Sequence, residues 1–410
     1  HNYEQFAVYF SWDATRPYLE QVVGRFERLW TNAEPGWISL SLPEAVRAAL
    51  LRYRPAGPPV RDPLERTAAV AEPKVVYVVE RRDDRAALVA SFLRDAPLLI
   101  GADGLGVATA AIEPWPHQLR VSRALSERYP QRFLLADEVG LGKTIEVGLA
   151  LRQLVLDRRV QRALLLVPHS VIRQWQEELF EKFCLDVPRY EDGKFRTVRG
   201  AAWEPRTANP FASEPLLLVS SQLAKRRDRF EDLLAAGPWD LVVVDEAHHA
   251  RRHGFERGLD QPNRLLALLR ALSERTRGLW LLSATPMQLH PMELWDLLVL
   301  LGLGGRWGAS PRWFLRFYEE LRRGPAEIDW SVVLPLVREE VRVQQIDPVF
   351  AREAEAKLGF VRWEEVRRIL TGESERKPSH LDESQRQWLF AGIRRHTPLR
   401  RLMFRHTRAL

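Results

Sequence analysis

Residues 132–144 read Arg-Phe-Leu-Leu-Ala-Asp-Glu-Val-Gly-Leu-Gly-Lys-Thr. An apolar run, Phe133–Ala136, passes into a glycine-rich turn and then into a helical pattern that starts at Lys143 and Thr144 and continues through Ile145, Leu149 and Leu154. A strand, a flexible turn and a helix N-terminus in this order can cradle phosphate. Glycines let backbone N–H groups curl around the oxygens, and the helix end adds positive potential. Lys143 would reach the β- and γ-phosphates, and the Thr144 hydroxyl would hold Mg²⁺. The general pattern G-x-x-x-x-G-K-[ST] asks for glycine where this chain has Asp137, so a chance glycine-rich turn is the competing reading. Asp245 and Glu246 follow a later run, Leu-Val-Val-Val. Phosphoryl transfer needs one carboxylate for Mg²⁺ and a second group to place the attacking water, roles that suit Asp245 and Glu246 in turn. An acidic pair at a helix N-terminus is the plain alternative. The phosphate loop upstream decides for the catalytic reading.

These residues need a scaffold. Five short apolar runs, Phe133–Ala136, Ala163–Val167, Leu216–Val219, Leu241–Val244 and Leu279–Leu282, have the length and continuous hydrophobicity of strands covered on both faces. Amphipathic helical patterns alternate with them, which predicts an α/β fold with a parallel sheet. Each run ends in a polar cluster, where ligands bind in open α/β sheets. The second ends in Pro168-His169-Ser170 and the third in Ser220-Ser221-Gln222, which offer donors to nucleic-acid phosphates or serve as plain helix caps. The fifth ends in Ser283-Ala284-Thr285-Pro286, and His248 is placed to link it to the Asp245–Glu246 pair by hydrogen bonds. Gln118, at the start of a helical pattern, can donate to and accept from an adenine edge at once, or it is an ordinary exposed glutamine. Trp175 reads as core. The run Lys225–Arg229 reads as a solvated helix face, and the aromatics between Trp307 and Tyr318 as packing.

The chain has 410 residues, 46% hydrophobic and 28% charged, as an ordinary globular protein does. A net charge of +7 suits an anionic partner such as nucleic acid. Only seven of its 61 basic residues are Lys. One cysteine, Cys184, excludes a disulfide framework and a cysteine zinc site within the chain. No apolar run is long enough to span a bilayer, and no membrane role is expected. A chain that starts at His1 reads as part of something longer.

As a set, these segments resemble the motifs of Swi/Snf-type superfamily 2 ATPases. Ala136–Thr144 looks like their first motif, which also carries Asp in place of the first glycine. Leu164–Trp175 resembles motif Ia, Asp245-Glu-Ala-His248 motif II, and Leu282–Pro286 motif III. Pro116-His-Gln-Leu119 is similar to the adenine-recognising segment, which favours Gln118 as a ligand. Asp-Glu-Val-Gly-Leu-Gly-Lys-Thr-Ile-Glu and Asp-Glu-Ala-His-His bring the chain nearest to the bacterial RapA/HepA-like subgroup.

The resemblance implies a RecA-like P-loop lobe at 111–305. Before it lie an accessory region at 1–54, a Pro-rich linker at 55–73 and a small mixed segment at 74–110. A helical protrusion follows at 306–400, and 401–410 leads into a second RecA-like lobe. It implies ATP and Mg²⁺ as cofactors, with Asp137, Gly140, Leu141, Gly142, Lys143 and Thr144 around the nucleotide. Ser283, Ala284 and Thr285 would couple nucleotide state to nucleic acid. The implied activity is ATP-driven movement on double-stranded DNA in a bacterial cytoplasm, with a protein partner such as RNA polymerase or a subunit of an antiviral defence system. A true helicase or RNA remodeller, and a nucleotide-gated scaffold, are the alternatives.

Overall fold

Alternate residues along each central strand face opposite ways into two cores. A computed structural model describes residues 16–31, 33, 104–138, 140–253, 261–283 and 291–407. Of the expected regions, residues 34–54 of the accessory region, the linker at 55–73 and residues 74–103 of the mixed segment, together with Ala284, Thr285 and Pro286, lie outside the described residues. The chain divides into two units, residues 1–80 and 81–410. In the first, helix α1 spans Arg16–Trp30, as its apolar spacing predicts, and Phe26 stacks on Trp30 at 5.9 Å.

The second unit is built on a nine-stranded sheet in the order β11-β1-β10-β7-β2-β6-β3-β4-β5. The five runs read from the sequence form its centre: β1 (Phe133–Leu135), β2 (Ala163–Val167), β6 (Leu216–Ser220), β7 (Trp239–Val244) and β10 (Thr276–Leu282). They pair in parallel, with Leu134 opposite Leu281, Leu281 opposite Val244 and Leu165 opposite Leu218. β3 (Arg189–Glu191) joins β6 in parallel, and β4 (Lys194–Arg196) and β5 (Ala202–Trp203) extend that edge antiparallel. β8 (Arg252–His253) and β9 (Gln261–Pro262) form a separate ribbon. β11 (Met403–Phe404) closes the opposite edge beside β1.

On one face, Phe133, Leu135, Leu165, Val243 and Trp280 bury against α3 (Pro116–Glu127), α4 (Lys143–Leu156) and α5 (Ile172–Phe183); the short α2 (Leu105–Ala108) packs on α4. Gly148 of α4 lets α5 close in, because a Cβ there would sit 2.2 Å from the Phe183 ring. On the other face, Leu134, Leu164, Leu166, Val242, Val244 and Leu281 meet α6 (Ser221–Ala224), α7 (Arg227–Ala235) and α8 (Arg264–Ser273). This second core runs on without a break into the helices that follow: α9 (Pro291–Leu300), α10 (Gly305–Ala309), α11 (Pro311–Arg323), α12 (Trp330–Gln344), α13 (Pro348–Leu358), α14 (Phe360–Thr371), α15 (Glu383–Arg395) and α16 (Pro398–Leu402).

Most of the aromatics between Trp307 and Tyr318 pack as expected, but Trp313 is exposed. Trp307, Phe314 and Phe317 are buried, and the Trp307 indole donates to Leu336 O at 2.9 Å. The sheet and the helices after it are further joined by Arg252, which makes two bonds of 2.6 and 2.7 Å to the buried Asp296 of α9. Because β1, β2, β6, β7 and β10 are parallel, their carboxyl ends and the polar clusters that follow them share one edge of the sheet.

Candidate nucleotide-binding site

The loop between β1 and α4 is shaped by two left-handed glycines, Gly140 at φ 81° and Gly142 at φ 87°. Left-handed backbone strains any residue with a Cβ. At Gly142 a Cβ would also stand 2.2 Å from the Gln118 amide nitrogen, so a side chain here would have to displace that amide from Leu141 O. Gly142 N-caps α4, which therefore begins at Lys143 and Thr144 as the sequence predicts, and its first N–H groups face the loop.

Gly140, Gly142, Lys143 and Thr144 line a cleft of about 680 Å³, and Asp245, Glu246, His248 and His249 line the same cleft from the end of β7. Pro168, Ser170 and Trp175 close its third side. The structure thus brings the glycine-rich loop and the acidic pair together.

Asp245 is fixed by three bonds. Its N–H donates to Leu166 O at 2.8 Å, one carboxylate oxygen accepts from the Glu246 N–H at 2.9 Å, and the other accepts from the Trp175 indole at 2.9 Å. Burial pushes the Asp245 carboxyl above the usual carboxylate range, and the Trp175 hydrogen bond opposes that. Glu246 sits at a left-handed φ of 51°, an uncommon backbone conformation for a residue with a Cβ. Its Oε2 lies 3.1 Å from His248 Nδ1, and this contact holds the Glu246 carboxyl below its ordinary value against the effect of burial. His248 Nδ1 is also 3.4 Å from the Ser283 hydroxyl. The His248–Ser283 link expected from the sequence is therefore present, while Ala284 and Thr285 are not described.

Three residues expected around the nucleotide brace the loop from behind and do not line the cleft. Gln118 is buried; its amide donates to Leu141 O at 2.9 Å and accepts from the Trp115 N–H at 2.8 Å. Leu141 is buried and supplies that carbonyl, which also lies 3.0 Å from His117 Nε2. Asp137 is fully buried, and its carboxylate accepts from the His406 N–H at 2.6 Å. Lys143 Nζ donates to Asp137 O at 2.7 Å and to Glu138 O at 3.4 Å. Beneath the loop, Glu146 is fully buried beside Asp137, and among the described residues neither of its carboxylate oxygens has a partner at hydrogen-bond geometry. Burial and the neighbouring Asp137 push it up to about 10.

The residues expected at nucleic acid divide. Pro168 and Ser170 face the cleft that the glycine-rich loop lines, whereas His169, Ser220 and Gln222 line a separate hollow of about 260 Å³. The Ser220 hydroxyl accepts from the Leu223 N–H at 3.1 Å and caps α6. The Gln222 amide oxygen accepts from the His169 N–H at 3.0 Å and from the Ser221 hydroxyl at 3.2 Å, which ties the ends of β2 and β6 together. Trp175 is buried as expected, but its indole N–H is also part of the site. His117 and His406 carry no role in the sequence reading. The only signal for Trp175 was its place in the segment after β2, and nothing in the spacing links His406 to the loop.

A family model described as SNF2-related domain matches residues 117–333, more than half of the chain. The chain is 42% identical over 186 residues to the RNA polymerase-associated protein RapA of Pseudomonas aeruginosa, and 42% identical over 175 residues to that of Vibrio campbellii. These matches cover 45% and 42% of this chain, but only 18% and 17% of the two relatives, so the chain spans under a fifth of their length. Among solved structures it is similar to the Sulfolobus solfataricus SWI2/SNF2 ATPase core in complex with dsDNA, at 16% identity and a TM-score of 0.41 over 63% of this chain and 54% of that one. With a matched domain that holds both the glycine-rich loop and the Asp245–Glu246 pair, the chain belongs to the SNF2-related domain family, as a Swi/Snf-type superfamily 2 ATPase of the RapA-like subgroup.

Proposed function

We propose that this chain is the nucleotide-binding half of an ATP-driven motor that moves on double-stranded DNA. The observation that supports it most is a single cleft lined by Gly140, Gly142, Lys143 and Thr144 on one side and Asp245 and Glu246 on the other. In this reading Lys143 leaves the Asp137 and Glu138 carbonyls and moves onto the phosphates, while backbone N–H groups of the loop take the phosphate oxygens. The Thr144 hydroxyl and the Asp245 carboxylate are hard oxygen donors that suit Mg²⁺. A cation also fits Asp245 itself, since burial disfavours that carboxylate's charge and a positive neighbour offsets the cost. When bound, Mg²⁺ neutralises charge on the phosphates. Glu246, kept ionised by His248, orients the attacking water and accepts its proton.

His248 then lies between the carboxylate that handles the water and Ser283 at the end of β10, a short route from nucleotide to the segment that follows. His169, Ser220 and Gln222, at neighbouring strand ends, are proposed to meet the DNA backbone. The helices from Gly305 to Leu402, proposed as a protrusion from the lobe, are continuous with one sheet core and so give a rigid lever on the same side. Opening and closing of two lobes around ATP would drive movement.

The test is carried out on the full-length protein. A motor displaces a third strand from a triplex in an ATP-dependent way and leaves duplex strands paired. Glu246→Gln keeps nucleotide binding and loses displacement. Unwinding of a forked duplex without triplex displacement would replace this reading with that of a helicase.

A second reading is favoured by the relatives, which are named for association with RNA polymerase. In it the same ATPase acts on transcription complexes. Retention of the protein on immobilised RNA polymerase, absent with an unrelated SNF2-related protein, would support it.

A further inference from the structure

Asp137 stands where the general phosphate-loop pattern has glycine, yet its backbone is not left-handed and does not require one. Its side chain is fully buried and turned away from the cleft. What it meets is the far end of the described chain. The carboxylate accepts from the His406 N–H at 2.6 Å and lies 3.1 and 3.2 Å from His406 Nδ1. Two backbone bonds flank this contact, Ala136 N–H to Phe404 O at 2.8 Å and Glu138 N–H to His406 O at 3.3 Å. Three successive residues at the start of the loop are thus bonded to Phe404 and His406.

The same residues hold Lys143. Its ammonium donates to the carbonyls of Asp137 and Glu138, the residues that grip His406. The peptide groups that place Lys143 are therefore the ones that dock 404–406, so the position of the lysine and the seating of this segment are set together. The other end of the loop reaches His406 as well. The His117 ring packs on the His406 ring at 5.1 Å, and His117 Nε2 lies 3.0 Å from Leu141 O, the carbonyl that Gln118 also holds.

We propose that His406 is a positioning residue of the phosphate loop, and that the Asp137–His406 clasp transmits nucleotide binding to the segment at 403–407. This rests on the nucleotide reading of the cleft. Docking of β11 and closure of the loop around phosphate favour each other, so by linkage each strengthens the other to the same extent.

The test is amide hydrogen exchange at 403–407, together with affinity for fluorescent Mg·ATP, in the full-length protein. The variants are Asp137→Gly, which restores the general pattern, His406→Ala, and His406→Asn, which keeps a side-chain N–H donor. Without nucleotide, Asp137→Gly speeds exchange at 404–406. Nucleotide slows exchange at 403–407 in the wild type. His406→Ala, which loses the Nδ1 contact but keeps the backbone N–H bond to Asp137, reduces that slowing and weakens nucleotide binding by about 5- to 10-fold. His406→Asn restores both, and in the Asp137→Gly background His406→Ala has no further effect.

The proposal is overturned if nucleotide binds to the wild type without altering exchange at 403–407. It is also overturned if His406→Ala weakens binding equally with and without Asp137. Failure of the wild type to bind nucleotide would overturn the nucleotide reading and this coupling with it; the exchange rates without nucleotide would then report on the clasp alone.

Discussion

Replacing Trp175 with Phe removes one N–H donor from a buried carboxylate and leaves an aromatic ring in the core. Hydrogen bonds to charged groups contribute roughly 1.5–3 kcal/mol, so kcat/KM for ATP should fall by about 10-fold or more in Trp175→Phe. The Trp175 bond lowers the Asp245 carboxyl, and its loss lets burial raise that group further. The acidic limb of the pH–rate profile therefore moves to higher pH; an unshifted limb would remove Trp175 from the site. Glu146 makes the opposite kind of prediction. Its folded value is about 10 against an ordinary 4.5. Below about pH 4.5 both folded and unfolded chains hold the proton; above it the unfolded chain releases it and the folded one does not, so this group weakens folding progressively as pH rises. Glu146→Gln cannot ionise and should melt higher than the wild type, by on the order of several °C at pH 8, with a gap that widens from about pH 5 to pH 9. Equal melting temperatures across that range would show that Glu146 is not held neutral. At this scale the sequence made the loop and the acidic pair legible because each is contiguous. Trp175 with Asp245, and Asp137 with His406, are separated by long stretches of chain that no local pattern connects.

Elements were legible where burial imposes a pattern. The five central strands have helices on both faces and so leave continuous apolar runs. β3 and β4, Arg-Tyr-Glu and Lys-Phe-Arg, each turn a single buried residue inward, Tyr190 and Phe195, and carry too little apolar signal to be read. Within the helical stretch expected at 306–400, α13 carries a similarly thin apolar signal. Only Phe350, Ala354 and Leu358 are buried on it, one residue per turn, although Asp347 caps its N-terminus by accepting from the Val349 and Phe350 N–H groups. The strand at Met403–Phe404 is two residues long and is defined by β1 beside it, not by its own sequence. The approach of α4 to α5 is the most exposed to a small change. Gly148→Ala forces a methyl against the Phe183 ring and should destabilise the domain by about 1–3 kcal/mol in urea unfolding. An unchanged midpoint would mean that the ring moves aside at no cost.

The whole molecule places five strand ends on one edge of a sheet, and this is why residues from Gly140 to His249 share one cleft. The proposed nucleotide and nucleic-acid contacts occupy neighbouring hollows on that edge, bridged by the Pro168–Ser170 segment. A net charge of +7 favours approach to a polyanion. The helices after the sheet share one of its cores, so in the proposed motor they would be carried along when the strand ends move. No helix among the described residues is long and apolar enough to cross a membrane. The most direct test of the motor is steady-state ATP hydrolysis by the full-length protein alone, with duplex DNA, with single-stranded DNA and with RNA. Duplex DNA should stimulate hydrolysis most, and Lys143→Ala should reduce the stimulated rate by at least about 100-fold. Stimulation by RNA or single strands alone, or a rate that Lys143→Ala leaves unchanged, would contradict the account.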